Sequence, residues 1–255
     1  MLMLLSPAKT QDFSTDYEAP PPTQPEMWKH GKHLLKELKT HSVVEIEQLM
    51  GVSEKIATLN FERFKGFSPR FTNKNAKPCA LAFRGDVYRG LDATTLNKKE
   101  MTYAQKHLRI LSGLYGVLRP LDMIQPYRLE MKTKLKNPRG NDLYTFWDMH
   151  ITDVLNAHLK SSKDDIVLNL ASNEYYNAVK PKELNAQVIA PAFKEMKNGK
   201  YKILSMYAKY ARGLMARWVI QNKIEKVQDL KKFKMDGYVY NKGLSTEGSP
   251  VFTRG

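Results

Sequence analysis

The sequence predicts an α+β fold, a central mixed β-sheet with flanking helices in one domain spanning residues 1–255. Two patterns predict it. Short continuous apolar runs at residues 1–5, 78–83 and 165–170 have the length and the flanking breakers of buried strands. Longer stretches at 27–38, 142–159 and 208–221 carry their apolar residues at helical spacing. With 42% hydrophobic residues, the 255-residue chain has enough apolar mass for a substantial core.

Taken in order, residues 1–5 form a first strand, ended by Ser6-Pro7, because a residue before proline is pushed out of the helical region. The next turn carries Lys9. Residues just past the carboxyl end of a strand in a helix-covered sheet line binding crevices, so Lys9 is read as an anion ligand. The S-x-x-K spelled by Ser6 to Lys9 is not read as an acyl-enzyme serine, since Pro7 follows the serine and no Lys-Thr-Gly partner exists. Pro20, Pro21, Pro22 and Pro25 mark an extended linker before the helix at 27–38.

Residues 43–60 resemble a helix-hairpin-helix. Ile46 and Leu49 close one helix, Gly51 turns the chain, and Ser53 caps a second helix carrying Ile56, Ala57 and Leu59. In that reading Gly51, Val52 and Ser53 offer backbone N–H groups to a phosphate and Lys55 adds charge. An ordinary αα-corner that needs glycine for its turn fits the same residues. Phe61, Phe64, Phe67 and Phe71 come next as core anchors, and the strand at 78–83 leads into a turn with Arg84, Asp86 and Tyr88.

Residues 103–111 are read as helix, feeding a segment from Arg109 to Met131 that has neither helix nor strand periodicity. Gly113, Gly116, Pro120 and Pro126 break an apolar run into a buried, irregular connection. Two readings of its polar residues stand. Arg109, Arg119 and Arg128 form rigid forks for phosphate or carboxylate, with Tyr115 and Tyr127 as stacking faces. Alternatively, the arginines pair internally with Asp86, Asp122 and Glu130. A strand at 165–170 then leaves into a turn with Ser172 and Glu174, the latter a candidate proton-transfer carboxylate. Residues 187–193 and 200–206 read as a hairpin across Asn198-Gly199. The helix at 208–221 turns Leu214, Met215, Trp218 and Val219 inward and Lys209, Arg212 and Arg217 outward. Short strands are expected at 238–240 and 251–253.

Charge is the strongest global signal: 41 Lys and Arg against 26 Asp and Glu give a formal +15. Residues 194–234 alone hold twelve basic and three acidic side chains, the footprint expected of a surface for a polyanion. The single cysteine, Cys79, excludes an internal disulfide framework. The apolar N-terminus has no basic flank and is too short to span a bilayer, so neither signal peptide nor membrane segment is expected and the cytoplasm is the expected compartment. The six histidines show no metal spacing with Cys79, and phosphate-loop, dinucleotide-binding, nucleophile-elbow and zincin motifs are missing; neither cofactor nor metal is expected. His30 and His33 are read as solvated residues on a helix surface.

Six stretches in order, Leu5 to Thr10, Phe83 to Leu91, Leu108 to Asp122, Gln125 to Met131, Asn169 to Tyr175 and Tyr207 to Gly213, resemble the peroxide stress protein YaaA family. The resemblance implies a cytoplasmic protein of the hydrogen peroxide response that limits unincorporated iron and oxidative DNA damage. It also implies a family-specific single-domain fold, a basic cleft, a helix-hairpin-helix, and binding to DNA, duplex as well as distorted or bubble DNA. The family has no settled enzymatic activity. The expected DNA contacts are Gly51, Val52, Ser53 and Lys55 on the hairpin, with Lys9, Arg84, Arg109, Tyr115, Arg119, Tyr127, Arg128, Lys209, Arg212 and Arg217 in the cleft. The alternative is an enzyme for a phosphorylated or nucleotide substrate, in which Lys9, Arg84 and Arg128 bind the anion and Asp86 or Glu174 moves the proton.

Overall fold

A computed structural model describes residues 1–255. The central sheet is built from β1 (Leu2–Leu5), β2 (Leu108–Ser112), β3 (Gly116–Leu118), β4 (Ile166–Asn169) and β5 (Gln187–Ile189), in the order β3-β2-β1-β4-β5. Strands β2, β1, β4 and β5 run parallel, and β3 joins β2 antiparallel. β1 is apolar at every position because both of its faces are covered, and its four residues are all buried. The expected mixed sheet with flanking helices is present.

A second sheet holds β6 (Ala192–Lys197), β7 (Lys200–Lys202), β8 (Val239–Tyr240) and β9 (Val251–Arg254), in the order β7-β6-β9-β8. The Asn198-Gly199 turn joins β6 and β7 with both residues at positive φ, 54° and 72°, as a tight hairpin requires. Side chains from both sheets, including Leu4, Leu168, Phe193 and Phe252, belong to one continuous apolar core.

Several boundaries differ from expectation for identifiable reasons. Residues 187–193 are not one strand: β5 stays in the central sheet, and the chain crosses at Ala190-Pro191 to begin β6 in the other. Residues 78–83 are not a strand either. Cys79–Ala82 makes one helical turn between two-residue strands at Lys77–Pro78 and Phe83–Arg84, and its apolar composition reflects complete burial rather than extended geometry. The helix expected at 103–111 stops at His107, and Leu108 to Ser112 become β2, so Arg109 lies in the sheet and not in an irregular connection.

Helices α1 (Trp28–Leu38), α2 (Val43–Met50) and α3 (Glu54–Lys65) lie between β1 and β2 in the chain, as does the shorter α4 (Asp86–Leu91). A long helix, α5 (Ser205–Asn222), crosses α4 with backbone against backbone. A Cβ on Gly213 would stand 1.9 Å from the Val87 carbonyl oxygen, and one on Gly90 would stand 2.2 Å from that of Tyr210. Arg217 locks the crossing by donating to the Leu91 and Asp92 carbonyls at 3.1 and 2.8 Å, which satisfies the carboxyl-terminal end of α4.

Candidate functional site

The chain leaves β1 toward β2 on one side and leaves β4 toward β5 on the other, so the carboxyl ends of β1 and β4 flank the point where the winding reverses. Open sheets bind ligands at that place. Here it holds a cleft of about 750 Å³. The register Leu2↔Val167 to Leu4↔Asn169 brings the two strand ends level, and the segments beyond them meet. Ser6 Oγ accepts from the Ser172 amide at 2.9 Å and donates to Ser172 Oγ at 3.2 Å. Tyr88 Oη donates to the Ser6 carbonyl at 2.9 Å and ties α4 to the same point.

Six cations line the cleft, Lys9, Arg84, Arg128, Lys132, Lys209 and Arg212, against Asp86, Glu130 and Glu174. Three of the six are already engaged. Glu130 gathers Lys9 at 2.9 Å and Arg128 at 2.9 Å, while Lys132 stands farther off at 3.9 Å. Burial alone would raise the Glu130 carboxyl, but hydrogen bonds from Lys9 and Arg128 hold it below the usual carboxylate range. Arg84 pairs with Asp12 at 2.7 Å, not with Asp86. Arg212 differs from these. It is half-buried beside the cleft, and burial lowers its guanidinium from the ordinary value with no carboxylate to offset the cost. A desolvated cation without a counter-ion favours an incoming anion.

The remaining expected site residues lie elsewhere or are spent. Arg109, 3% exposed, donates Nη1 to the Gln105 and Leu108 carbonyls, and burial lowers it to about 10. Arg119 grips Asp122 at 2.8 Å and the Gln24 carbonyl, so the internal-pairing reading holds for this residue. Tyr115 is fully buried, accepting from the Gln125 amide and packed against Trp28. Tyr127 lines the cleft at 2% exposure, and its hydroxyl pairs with Ser112 Oγ at 2.6 Å. Neither ring is open as a stacking face, which corrects that expectation. Arg217 serves the end of α4. Sequence reasoning also missed Lys132 and the Ser6 to Ser172 contact, which join residues far apart in the chain.

The hairpin also departs from expectation. α2 and α3 form a helical pair about Gly51, which takes φ 59° as the left-handed position requires. The Gly51 and Val52 amides both donate to the Glu47 carbonyl, so neither is free for a phosphate. Ser53 starts α3 without a side-chain cap, while the true capping box, Ser42 with Glu45, opens α2. Lys55 is exposed, but residues 43–65 carry four glutamates against three cations. The pair is an αα-hairpin in which two of the three expected amides, those of Gly51 and Val52, are engaged within the turn.

His30 is not a solvated surface residue. Its ring lies 4.6 Å from that of His150, and Arg139 donates to its Nδ1 at 2.8 Å. Burial, then the positive charge of His150 and Arg139, lowers it to about 4. The native state therefore binds fewer protons than the unfolded chain below the ordinary histidine value. Stability is expected to fall as pH drops from about 6.5 toward 4. His30→Gln, which cannot charge, is expected to flatten that part of the curve in urea melts across pH; an unchanged slope would refute the assignment.

No helix is long and apolar enough to cross a membrane, and no group of three or more His, Cys, Asp or Glu side chains is placed to hold a metal ion. A family model described as "Peroxide stress protein YaaA" matches residues 1–244. The chain belongs to that family. A UPF0246 protein of Aliivibrio fischeri is 53% identical over 254 residues, covering all of this chain and 98% of the relative. One from Saccharophagus degradans is 51% identical, with 99% of its length covered. The family is thus one of the hydrogen peroxide stress response, and five of its six motif blocks, all but Leu108 to Asp122, contribute residues to the cleft.

Proposed function

We propose that this family member binds DNA during hydrogen peroxide stress, largely without regard to sequence, and holds the sugar-phosphate backbone at the rim of the basic cleft. The observation that carries the reading is Arg212, a guanidinium desolvated beside the cleft with no internal counter-ion. Lys209, one turn earlier on the same helix face, and Lys132 stand exposed on the same rim. The formal +15 supplies the long-range attraction. Limitation of iron belongs to the same proposal. A basic protein on DNA displaces cations condensed on the phosphates, so DNA covered by it would carry less iron where peroxide could react.

Fluorescence anisotropy of a labelled duplex, titrated across salt, tests this. With Lys132, Lys209 and Arg212 as the free cations, the slope of log K against log salt is expected near about −3, at roughly 0.9 per neutralised phosphate. Lys55→Glu on the hairpin is expected to change the affinity less than about 2-fold, as for a charge outside the contact. Absence of saturable, salt-linked binding would sink the reading.

A second reading is favoured by one observation, the presence of Asp86 and Glu174 in the same cavity as the cations. A nucleotide or other phosphorylated substrate held by Lys9, Arg84 and Arg128, in exchange for their present pairs with Glu130 and Asp12, would then meet a carboxylate able to move a proton.

A further inference from the structure

The same cleft has room for a small ligand, and its lining has a chemistry of its own. Its lining includes the accessible apolar side chains of Ala8, Val87 and Ile203, with Tyr88, Tyr127 and Tyr175 largely buried behind them. At its edge Lys209 and Arg212, neither paired with a carboxylate, sit together on one face of α5 at i and i+3. The hydroxyls of Ser6 and Ser172 lie on the same lining. A cavity of about 750 Å³ with an apolar part and a cationic part suits a ligand with the same division. Inorganic phosphate satisfies only the cations. Only eight of the twenty-four lining residues are hydrophobic, too few to cover a lipid or fatty-acid chain.

We propose that the cleft is a one-nucleotide pocket, with the phosphate on Lys209 and Arg212 and the base against the apolar lining that stays accessible, Ala8, Val87 and Ile203. A nucleotide unit carries an anionic end, a polar sugar and a flat apolar ring with hydrogen-bonding edges, the three features this lining matches. Two sources supply that chemistry: a free nucleoside monophosphate, or a single nucleotide everted from DNA. Only the second source rests on the DNA-binding reading.

The test uses the full chain in two arms. In the first, calorimetry compares AMP and dTMP with inorganic phosphate. The pocket predicts at least about 10-fold tighter binding of a nucleotide, lost in Ala8→Trp, which fills the cleft without altering its charge. In the second, anisotropy compares a fully paired duplex with one carrying a single mismatched pair, whose bases cost less to evert. The pocket predicts at least about 10-fold preference for the mismatch, abolished in Ala8→Trp while salt-linked duplex binding survives. Either arm alone supports the pocket and identifies the source. The inference is overturned if wild-type protein binds monophosphates no better than phosphate and shows no mismatch preference, or if Ala8→Trp, folded by its melting curve, alters neither. If wild type binds no DNA at all, the DNA reading fails and the first arm still decides the pocket.

Discussion

Replacing Arg212 by glutamate is expected to weaken binding of a short DNA duplex by about 100-fold at ~0.15 M salt, and Arg212→Ala by about 10-fold. A charge-assisted hydrogen bond to phosphate contributes about 1.5 to 3 kcal/mol, and the reversed charge adds repulsion. The loss should be larger than for Arg128→Ala, because Arg128 is already paired with Glu130 at 2.9 Å and Arg212 has no carboxylate to leave. The same contrast predicts that Arg212→Ala is not destabilising: it removes a cation whose burial is uncompensated. Anisotropy for affinity and a thermal melt for stability check the two halves. Wild-type affinity in Arg212→Glu would remove the cleft from any role in polyanion binding.

Gly213→Ala is expected to cost about 3 kcal/mol or more. In an isolated helix the substitution would favour folding by up to about 1 kcal/mol, because alanine is the better helix former. Here the sign is set by the crossing with α4. The new Cβ would lie 1.9 Å from the Val87 oxygen and 2.7 Å from the Leu91 nitrogen, both backbone atoms that no rotamer change can move. α5 must then withdraw, taking Lys209 and Arg212 with it and breaking the Arg217 bonds to Leu91 and Asp92. For a chain of this size the melting temperature should fall by about 6 to 12 °C. Gly90→Ala should behave similarly, and the double variant should lose less than the sum because both act on one contact. An unchanged melting temperature in both would show that the crossing yields easily.

Fold class, family and the first and last elements of the chain are legible in one dimension. β1, β4 and α5 stand within a few residues of where their apolar runs and helical spacing put them, because burial leaves its mark locally on periodicity. It also marked strand-end turns at Lys9, Arg84 and Glu174 as functional ground, and those three meet at the cleft. Which cations are free emerges only in the folded molecule. Arg109, Arg119, Arg128 and Arg212 look alike in one dimension, since nothing local distinguishes an arginine that will find Asp122 or a carbonyl from one that will not. The hairpin's amides show the same limit: glycine, valine and serine in a turn suggest three open donors, and only the folded turn shows Glu47 accepting from the first two. Tyr115 and Tyr127 read as exposed stacking faces because a tyrosine's polar tip is consistent with either side of a surface, and their burial depends on chains of contact from α1 and β2. Periodicity records whether a residue is inside; partner choice depends on distances between segments far apart in the chain, and those exist only once it has folded.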